Sequence, residues 1–341
     1  MEPDFSDGTV PLDDTFAEVV EFHGRMYQKY ALTNETYFSP VDERETTRLE
    51  QMHRIFNQVF DNRLIFPPVA SPRNVLDLGC GGGDWASAVA EEFPRASVLG
   101  IDASPHMLPE DPPDNLDLQV DDLNGRFTFQ SDRYDVVHSQ MVAGGINANR
   151  WESYIRDIFR VLKPDGWCQM VEIYFNAQSD NGRLTRDHAL SKWSRSYLQG
   201  VQPYKNPRAP LQIANWMRNA GFTEVESKLL VLPMCGWSSS PRDRAIGQAM
   251  AGTIRNLLQT IGLYPMVHLK GMPIEEFEIL VEDASAEAND PSFKVGIPDI
   301  QPLSRHIRVH RKEAEKPSEV MIEVADTVLW VAQPLLDMTT T

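Results

Sequence analysis

The segment Asp77-Leu78-Gly79-Cys80-Gly81-Gly82-Gly83 most restricts what this chain can fold into. It ends a short apolar run, Asn74–Leu78, and opens a helical pattern. A strand that passes at once into a helix must turn sharply. Glycines supply the turn and let the backbone approach a ligand without a Cβ in the way. In open α/β sheets, ligands bind beyond the carboxyl ends of the strands, which is where this loop falls.

Two ligand classes use such a loop. The dinucleotide fingerprint G-x-G-x-x-G/A, read from Gly79, needs Gly or Ala where Asp84 stands. A pyrophosphate at the helix N-terminus is also disfavoured by the Asp84 charge. The spacing D-x-G-x-G-x-G instead fits Asp77, Gly79, Gly81 and Gly83 without a miss. Its ligand carries a sulfonium and an amino-acid head, so acids near the loop favour it. Asp102 ends the next strand, about 20 residues beyond the glycines, where a carboxylate grips ribose hydroxyls. The other reading of Asp102 is a cap on the turn Ala103-Ser104-Pro105. An acid after the third strand, Asp122 in preference to Asp121, can accept a hydrogen bond from an adenine amine; either can equally be a turn residue. Ala103, Leu123 and Met107 complete the expected contacts, with Met107 on the adenine ring or in plain core.

The rest of the chain supports an alternating α/β reading. Strands are expected at 74–78, 97–101, 116–120, 134–138, 167–173 and 224–232, with helices at 85–93, 151–162, 187–199 and 210–220. Strands separated by helices imply parallel β-α-β units and a doubly wound sheet, the right-handed crossovers placing helices on both faces. Before the sheet, helices are expected at 22–30 and 42–60, the second capped by Asp42 with Glu45 three residues on. The breaker Phe66-Pro67-Pro68 acts as a linker. Residues 1–18 read as disordered, 19–66 as a helical cap, 67–295 as the ligand-binding domain with helices inserted near 180–210, and 296–341 as an atypical tail. The apolar stretch at 324–338 reads as a packing segment.

Composition narrows the partners. The 341 residues carry a net charge of −17, so a phosphate backbone is repelled by the average surface and nucleic acid is not an expected partner. The basic run Arg305, Arg308, Arg311, Lys312 and Lys316 reads as a solvated surface segment. Cys80, Cys168 and Cys235 are widely spaced, which argues against a zinc site or a disulfide framework and fits a reducing compartment. The acidic N-terminus is unlike a signal peptide, and no apolar run is long enough to span a bilayer. A cytoplasmic protein without membrane contact is the expectation.

The residues resemble class I methyltransferases that use S-adenosyl-L-methionine, and more narrowly the fungal LaeA-like methyltransferases of secondary metabolism. The narrower resemblance rests on Arg48-Leu49-Glu50-Gln51-Met52-His53 before the sheet, on Trp85, and on Tyr134 through Met141 at the fourth strand. It also rests on Leu162-Lys163-Pro164-Asp165-Gly166-Trp167, on Glu172, on Ala220-Gly221-Phe222 and on the segment from Pro233 to Trp237. It covers about residues 20–292 and implies a Rossmann-like, mostly parallel sheet with a helical cap and inserted helices. Gln169 and Asp165 depart from the family pattern, standing for an acid and a glycine. After Phe293 the resemblance stops, so the seventh strand is either supplied by the tail or missing.

Methyl transfer from a sulfonium is an in-line displacement in which the protein mainly aligns donor and nucleophile. A base matters only if the acceptor must lose a proton. His138 is the expected catalytic candidate, with His188 as an alternative and His53 as a cap-helix residue above the cofactor. No His/Asp/Glu cluster suggests a metal. Tyr174, Trp193, Tyr197 and Tyr204 are candidate walls of an apolar acceptor pocket, or core residues. The resemblance implies either an enzyme acting on a small fungal metabolite, or a regulator that binds the cofactor and works through protein partners in the nucleus.

Overall fold

The computed structural model describes residues 12–301. Where a helix was expected at 22–30, strands β1 (Val19–Phe22) and β2 (Arg25–Gln28) form an antiparallel hairpin, followed by the one-turn helix α1 (Lys29–Thr33). The cause is local. His23 and Gly24 both take positive φ (48° and 71°), the signature of the two-residue turn whose twist matches paired strands. Apolar spacing in so short a segment does not separate helix from hairpin. The expected disorder over 1–18 does not extend to residues 12–18. Asp13 caps a 3-10 turn at Asp14–Ala17, and the Phe16 ring lies 4.4 Å from that of Tyr30. Residues 1–11 lie outside the described part, as do the basic run from Arg305 and the apolar stretch at 324–338.

Helix α2 (Glu43–Val59) follows, its Asp42 cap accepting the Glu45 N–H at 3.1 Å as the sequence implied. The sheet then builds from β3 (Asn74–Leu78), β4 (Ser97–Asp102), β5 (Leu116–Val120), β6 (Tyr134–Gln140) and β7 (Leu162–Ile173), all parallel in the order β5-β4-β3-β6-β7. Helix α3 (Asp84–Glu92) covers one face, packing Trp85, Val89 and Ala90 on Val75, Val98 and Val136. Helix α4 (Trp151–Val161) covers the other and buries Trp151, Tyr154, Ile155 and Ile158. Within β7, where its pairing with β6 shifts register between Leu162 and Trp167, Asp165 takes a left-handed φ of 66°, which glycine adopts readily and aspartate tolerates better than most residues.

The second half completes the sheet. A two-residue strand β8 (Gln178–Ser179), helices α5 (Ala189–Val201) and α6 (Ile213–Ala220) and strand β9 (Lys228–Pro233) precede two long helices, α7 (Pro241–Leu263) and α8 (Ile274–Asn289). The last strand among the described residues, β10 (Val295–Gln301), runs antiparallel between β7 and β9, and its start also pairs with β8. The closing strand is therefore present, and it crosses the boundary expected at residue 295. Among its described side chains, the buried ones are Val295 and Ile297, around Gly296. Two apolar positions and a following proline are too little to announce a strand.

Helices α2, α5, α7 and α8 enclose a third core beside β7, β9 and β10, built on Phe56, Trp193, Met250, Leu257 and Phe277. α7 lies so close to the turn after β9 that a Cβ on Gly247 would stand 2.1 Å from the Cys235 carbonyl oxygen. Backbone does not give way as a side chain does. Gly247→Ala should therefore destabilise the fold by about 1–3 kcal/mol, the usual range for overpacking, read as a lower midpoint in thermal or urea unfolding.

Candidate active site

β3, β4 and β6 end side by side, and the site is built on their carboxyl ends. The Gly79 and Cys80 N–H groups donate to the Ile101 carbonyl at 2.8 and 2.9 Å, which folds the glycine loop back over β4. Asp102 fixes the loop further. One carboxylate oxygen accepts the Gly81 N–H and the other the Ser104 N–H, both at 2.9 Å. Gly79 and Gly81 take positive φ of 76° and 54°, and a Cβ on Gly79 would stand 2.5 Å from a Val142 methyl.

Above this loop lies a cleft of about 790 Å³, partly open to solvent. Of the expected residues, Gly79, Gly81, Asp102, Ala103, Met107, Asp122 and Leu123 line it. Asp121 does not. It lines a separate cavity along β5, and its carboxylate accepts the Asp122 N–H at 2.8 Å. Side chains alternate along an extended strand, so of two adjacent acids only one faces the cleft. Gly83 is also off the wall: it caps α3 with φ 74° and packs against Pro109. Sequence reasoning missed the contribution of the cap, which closes the cleft with Gln28, Thr36, Tyr37 and Leu49. Gln28 is pinned by donating to the Phe16 and Ala103 carbonyls, both at 2.9 Å. Only Leu49, on the apolar face of α2, left a periodic signal.

Behind the loop, a second cavity of about 500 Å³ shares Leu49, Gly79, Gly81, Gln140 and Met141 with the cleft and adds Asp77, His53, Asp84 and His138. Burial pushes the Asp77 carboxyl well above the usual carboxylate range, and the nearby Asp102 pushes it the same way. Burial also raises Asp102, against the N–H groups that lower it. Two buried acids short of positive partners suit a cationic ligand, and the glycine cradle leaves room for its backbone approach. The cavity chemistry thus fits S-adenosylmethionine.

The histidines separate by environment. His138 is buried, stacks on Trp85 at 3.8 Å, and its Nδ1 pairs with the Gln169 amide at 3.0 Å. Gln169 also donates to the Leu64 carbonyl and accepts the Phe66 N–H, which gives a neutral amide a reason to stand at that position. Burial lowers the His138 pKa to about 3, so the ring is a weak base held neutral. His53 faces Asp84 and pairs with Asn57 at 2.9 Å. His188 precedes α5, where its Nδ1 accepts the Thr185 N–H at 2.9 Å; it lines neither cavity.

A further cavity, a small slot, opens beside Met141 between β7 and α5. Glu172, Phe175, Tyr197, Leu198 and Lys205 line it. Of the four aromatics considered as walls, Tyr197 is the one that lines the slot. Trp193 is buried core stacked on Tyr197 at 5.4 Å, and Tyr204 packs against Phe38. Glu172 is buried, and its two oxygens accept the Val142 and Ala143 N–H groups at 2.8 and 3.2 Å. That grip fixes the exit of β6, where Met141 takes a φ of 55° and touches the cleft, the rear cavity and the slot. Among the described residues no cluster of His, Cys, Asp and Glu has the arrangement of a metal site.

Two outcomes follow. Asp102→Ala removes charged hydrogen bonds worth about 1.5–3 kcal/mol, so S-adenosylmethionine should bind roughly ten- to hundred-fold more weakly by titration calorimetry. The raised pKa of Asp77 sets the pH dependence. The ligand's positive charge favours the ionised carboxylate, so binding releases a proton wherever Asp77 still holds one. Affinity should rise as pH climbs above the ordinary carboxylate value of about 4, then level off. Asp77→Asn should flatten that rise.

The family profile and the relatives by sequence point to a methyltransferase. A family profile described as a methyltransferase domain matches residues 50–227, just over half of the chain. The secondary metabolism regulator laeA of Monascus pilosus is 31% identical over 274 residues, 79% of this chain and 72% of that protein. The protein-methionine methyltransferase laeA of Emericella nidulans is 29% identical over 285 residues, covering 82% and 75% of the two chains. Among solved structures, phosphoethanolamine N-methyltransferase 2 of Haemonchus contortus in complex with S-adenosyl-L-methionine aligns with a TM-score of 0.44 at 18% identity, covering 73% of this chain and 51% of that one. The chain belongs to the class I, S-adenosylmethionine-dependent methyltransferases, and within them to the fungal LaeA-like family.

Proposed function

We propose that this chain methylates a small, largely apolar molecule of fungal secondary metabolism. The observation that carries the reading is the slot beside Met141: narrow, walled by Phe175, Tyr197 and Leu198, and adjoining the cofactor cleft. S-adenosylmethionine is expected to lie along Gly79, Gly81, Asp102, Ala103, Met107, Asp122 and Leu123, with Asp77 facing its amino-acid end from the rear cavity. S-adenosylmethionine supplies an already activated methyl group, so the chain's own task is alignment.

The slot's titratable groups suit that task better than proton transfer. The Glu172 oxygens already accept two N–H groups. Burial, with Tyr37 and Glu172 nearby, pushes the Tyr197 phenol above its ordinary range, so it stays protonated and can donate a hydrogen bond. The expected catalytic role of His138 is weakened by its neutral, stacked setting in the rear cavity. The acceptor favoured here brings a nucleophile that needs no base from the protein.

A second reading is favoured by the names of the relatives. Several are called secondary metabolism regulators, and the Emericella nidulans protein is called a protein-methionine methyltransferase. On that reading the acceptor is a protein side chain and the chain works through partners in the nucleus. Incubation with methyl-labelled S-adenosylmethionine and separate small-molecule and protein fractions of a fungal extract distinguishes the two. Label in a small molecule supports the proposal; label confined to protein sinks it. Leu198→Trp should fill the slot, abolish transfer and leave cofactor affinity within about two-fold, because Leu198 lines the slot and not the cleft.

A further inference from the structure

Lys205 is 2% exposed, and its three hydrogen-bonding partners are all uncharged. Its Nζ donates to the Thr36 carbonyl at 2.6 Å, to Asn147 Oδ1 at 2.7 Å and to the Gly145 carbonyl at 3.3 Å, and it lies 5.5 Å from the centre of the Phe38 ring. An apolar side chain in its place would leave three buried oxygens without this donor. The lysine holds together three oxygens from separate segments.

Those segments make the wall between two cavities. Thr36 and Gly145 line the cofactor cleft on their inner side, and Lys205 itself lines the slot. The wall continues toward the adenine end of the cleft. The Asn147 N–H donates to Asn124 Oδ1 at 2.7 Å, and the Asn124 amide donates to Asp122 Oδ1 at 2.8 Å and to the Gly145 carbonyl at 2.9 Å. The Tyr30 hydroxyl reaches the other Asp122 oxygen at 3.3 Å. A ligand pressed against Thr36, Gly145 and Asn124 steadies the same atoms that Lys205 holds from behind.

We propose that Lys205 is a positioning residue: its ammonium ties the cap to the loop after β6, and so holds the wall of the cofactor cleft in its binding shape. The inference rests on the cofactor assignment made above for the cleft.

The charge on Lys205 provides the readout. Burial lowers its pKa to about 7, against the Asp122 and Glu35 carboxylates, which favour the charged form. A ligand that steadies the three oxygens favours the ammonium, so binding takes up a proton where the free protein has lost it. By linkage, affinity is then steady below the free protein's pKa and falls as pH rises through it.

The test is titration calorimetry of S-adenosylhomocysteine into the full chain across this pH range, in two buffers of different ionisation heat. The expected result is net proton uptake at mildly alkaline pH and about tenfold weaker binding across roughly two pH units. In Lys205→Met both effects should vanish, and affinity below neutrality should drop about tenfold. Unchanged affinity in that variant, or the same proton uptake as the parent, overturns the proposal. If Lys205→Met does not fold, Asn147→Ala replaces it. Losing one of three acceptors lowers the lysine pKa further and moves the weakening to lower pH; an unmoved profile overturns the proposal. Asp102→Ala, run in parallel, tests the cleft itself. Parental affinity there means that the cofactor assignment has failed, whatever Lys205 does.

Discussion

A parallel sheet ends in loops whose N–H groups have left their strand partners, and buried N–H groups must be satisfied. In this molecule acids do much of that work. Asp102 accepts the Gly81 and Ser104 N–H groups, Asp122 that of Asn124, and Glu172 those of Val142 and Ala143. At the opposite end of the sheet, Asp135 accepts the Arg73 and Asn74 N–H groups at 2.8 Å each. Each carboxylate is charge-assisted glue that fixes a loop while keeping lone pairs for other partners. The shape of the cofactor cleft follows from this arrangement, because the loops that wall it are the loops the acids hold.

The cap depends on a different anchor. Arg25 forms a two-pronged pair with Asp42 at 2.7 and 2.8 Å and also reaches the Thr260 hydroxyl of α7 at 3.1 Å. Asp42 meanwhile caps α2. One carboxylate thus joins the hairpin, the long helix and, through Arg25, the helical layer behind. The buried pair of Arg48 with Glu45, one turn along α2, stiffens the same corner at 2.7 Å. Pairs of this kind contribute geometry more than net stability, and the cap's lining residues need geometry.

The sequence carried the parallel half of the sheet clearly, for physical reasons. Strands buried on both faces read as apolar runs, and the helices between them show period 3.6. The glycine loop with Asp102 was legible because its chemistry demands particular residues at particular spacing. Choosing Asp122 over Asp121 was harder, since the choice depends on which side of the strand end faces inward. Gln28, Thr36 and Tyr37 were invisible, because they sit in a hairpin and a loop whose placement over the cleft depends on the contacts of Arg25 with Asp42 and of Lys205 with Thr36, 17 and 169 residues apart in sequence. The long helices α7 and α8 escaped notice for another cause. The end of α7 is buried almost all round, which blurs its periodicity, and α8 buries a stripe made mostly of small residues, Ala284, Ser285 and Ala288 beside Phe277 and Val281, while Ile279 is exposed.

The placement of β10 bears on the order in which the chain matures. Residues 295–301 insert between β7 and β9, so those two strands have no partner on their facing edges until nearly 300 residues have been synthesised. The strands β5, β4, β3 and β6 and the glycine loop have their strand neighbours much earlier, once β7 is made by residue 173. A nascent chain can therefore assemble the nucleoside-binding half while the acceptor side waits with two open strand edges, which are sticky while unpaired. For such a chain, vulnerability to misassembly is concentrated in the interval between the emergence of β9 and that of β10.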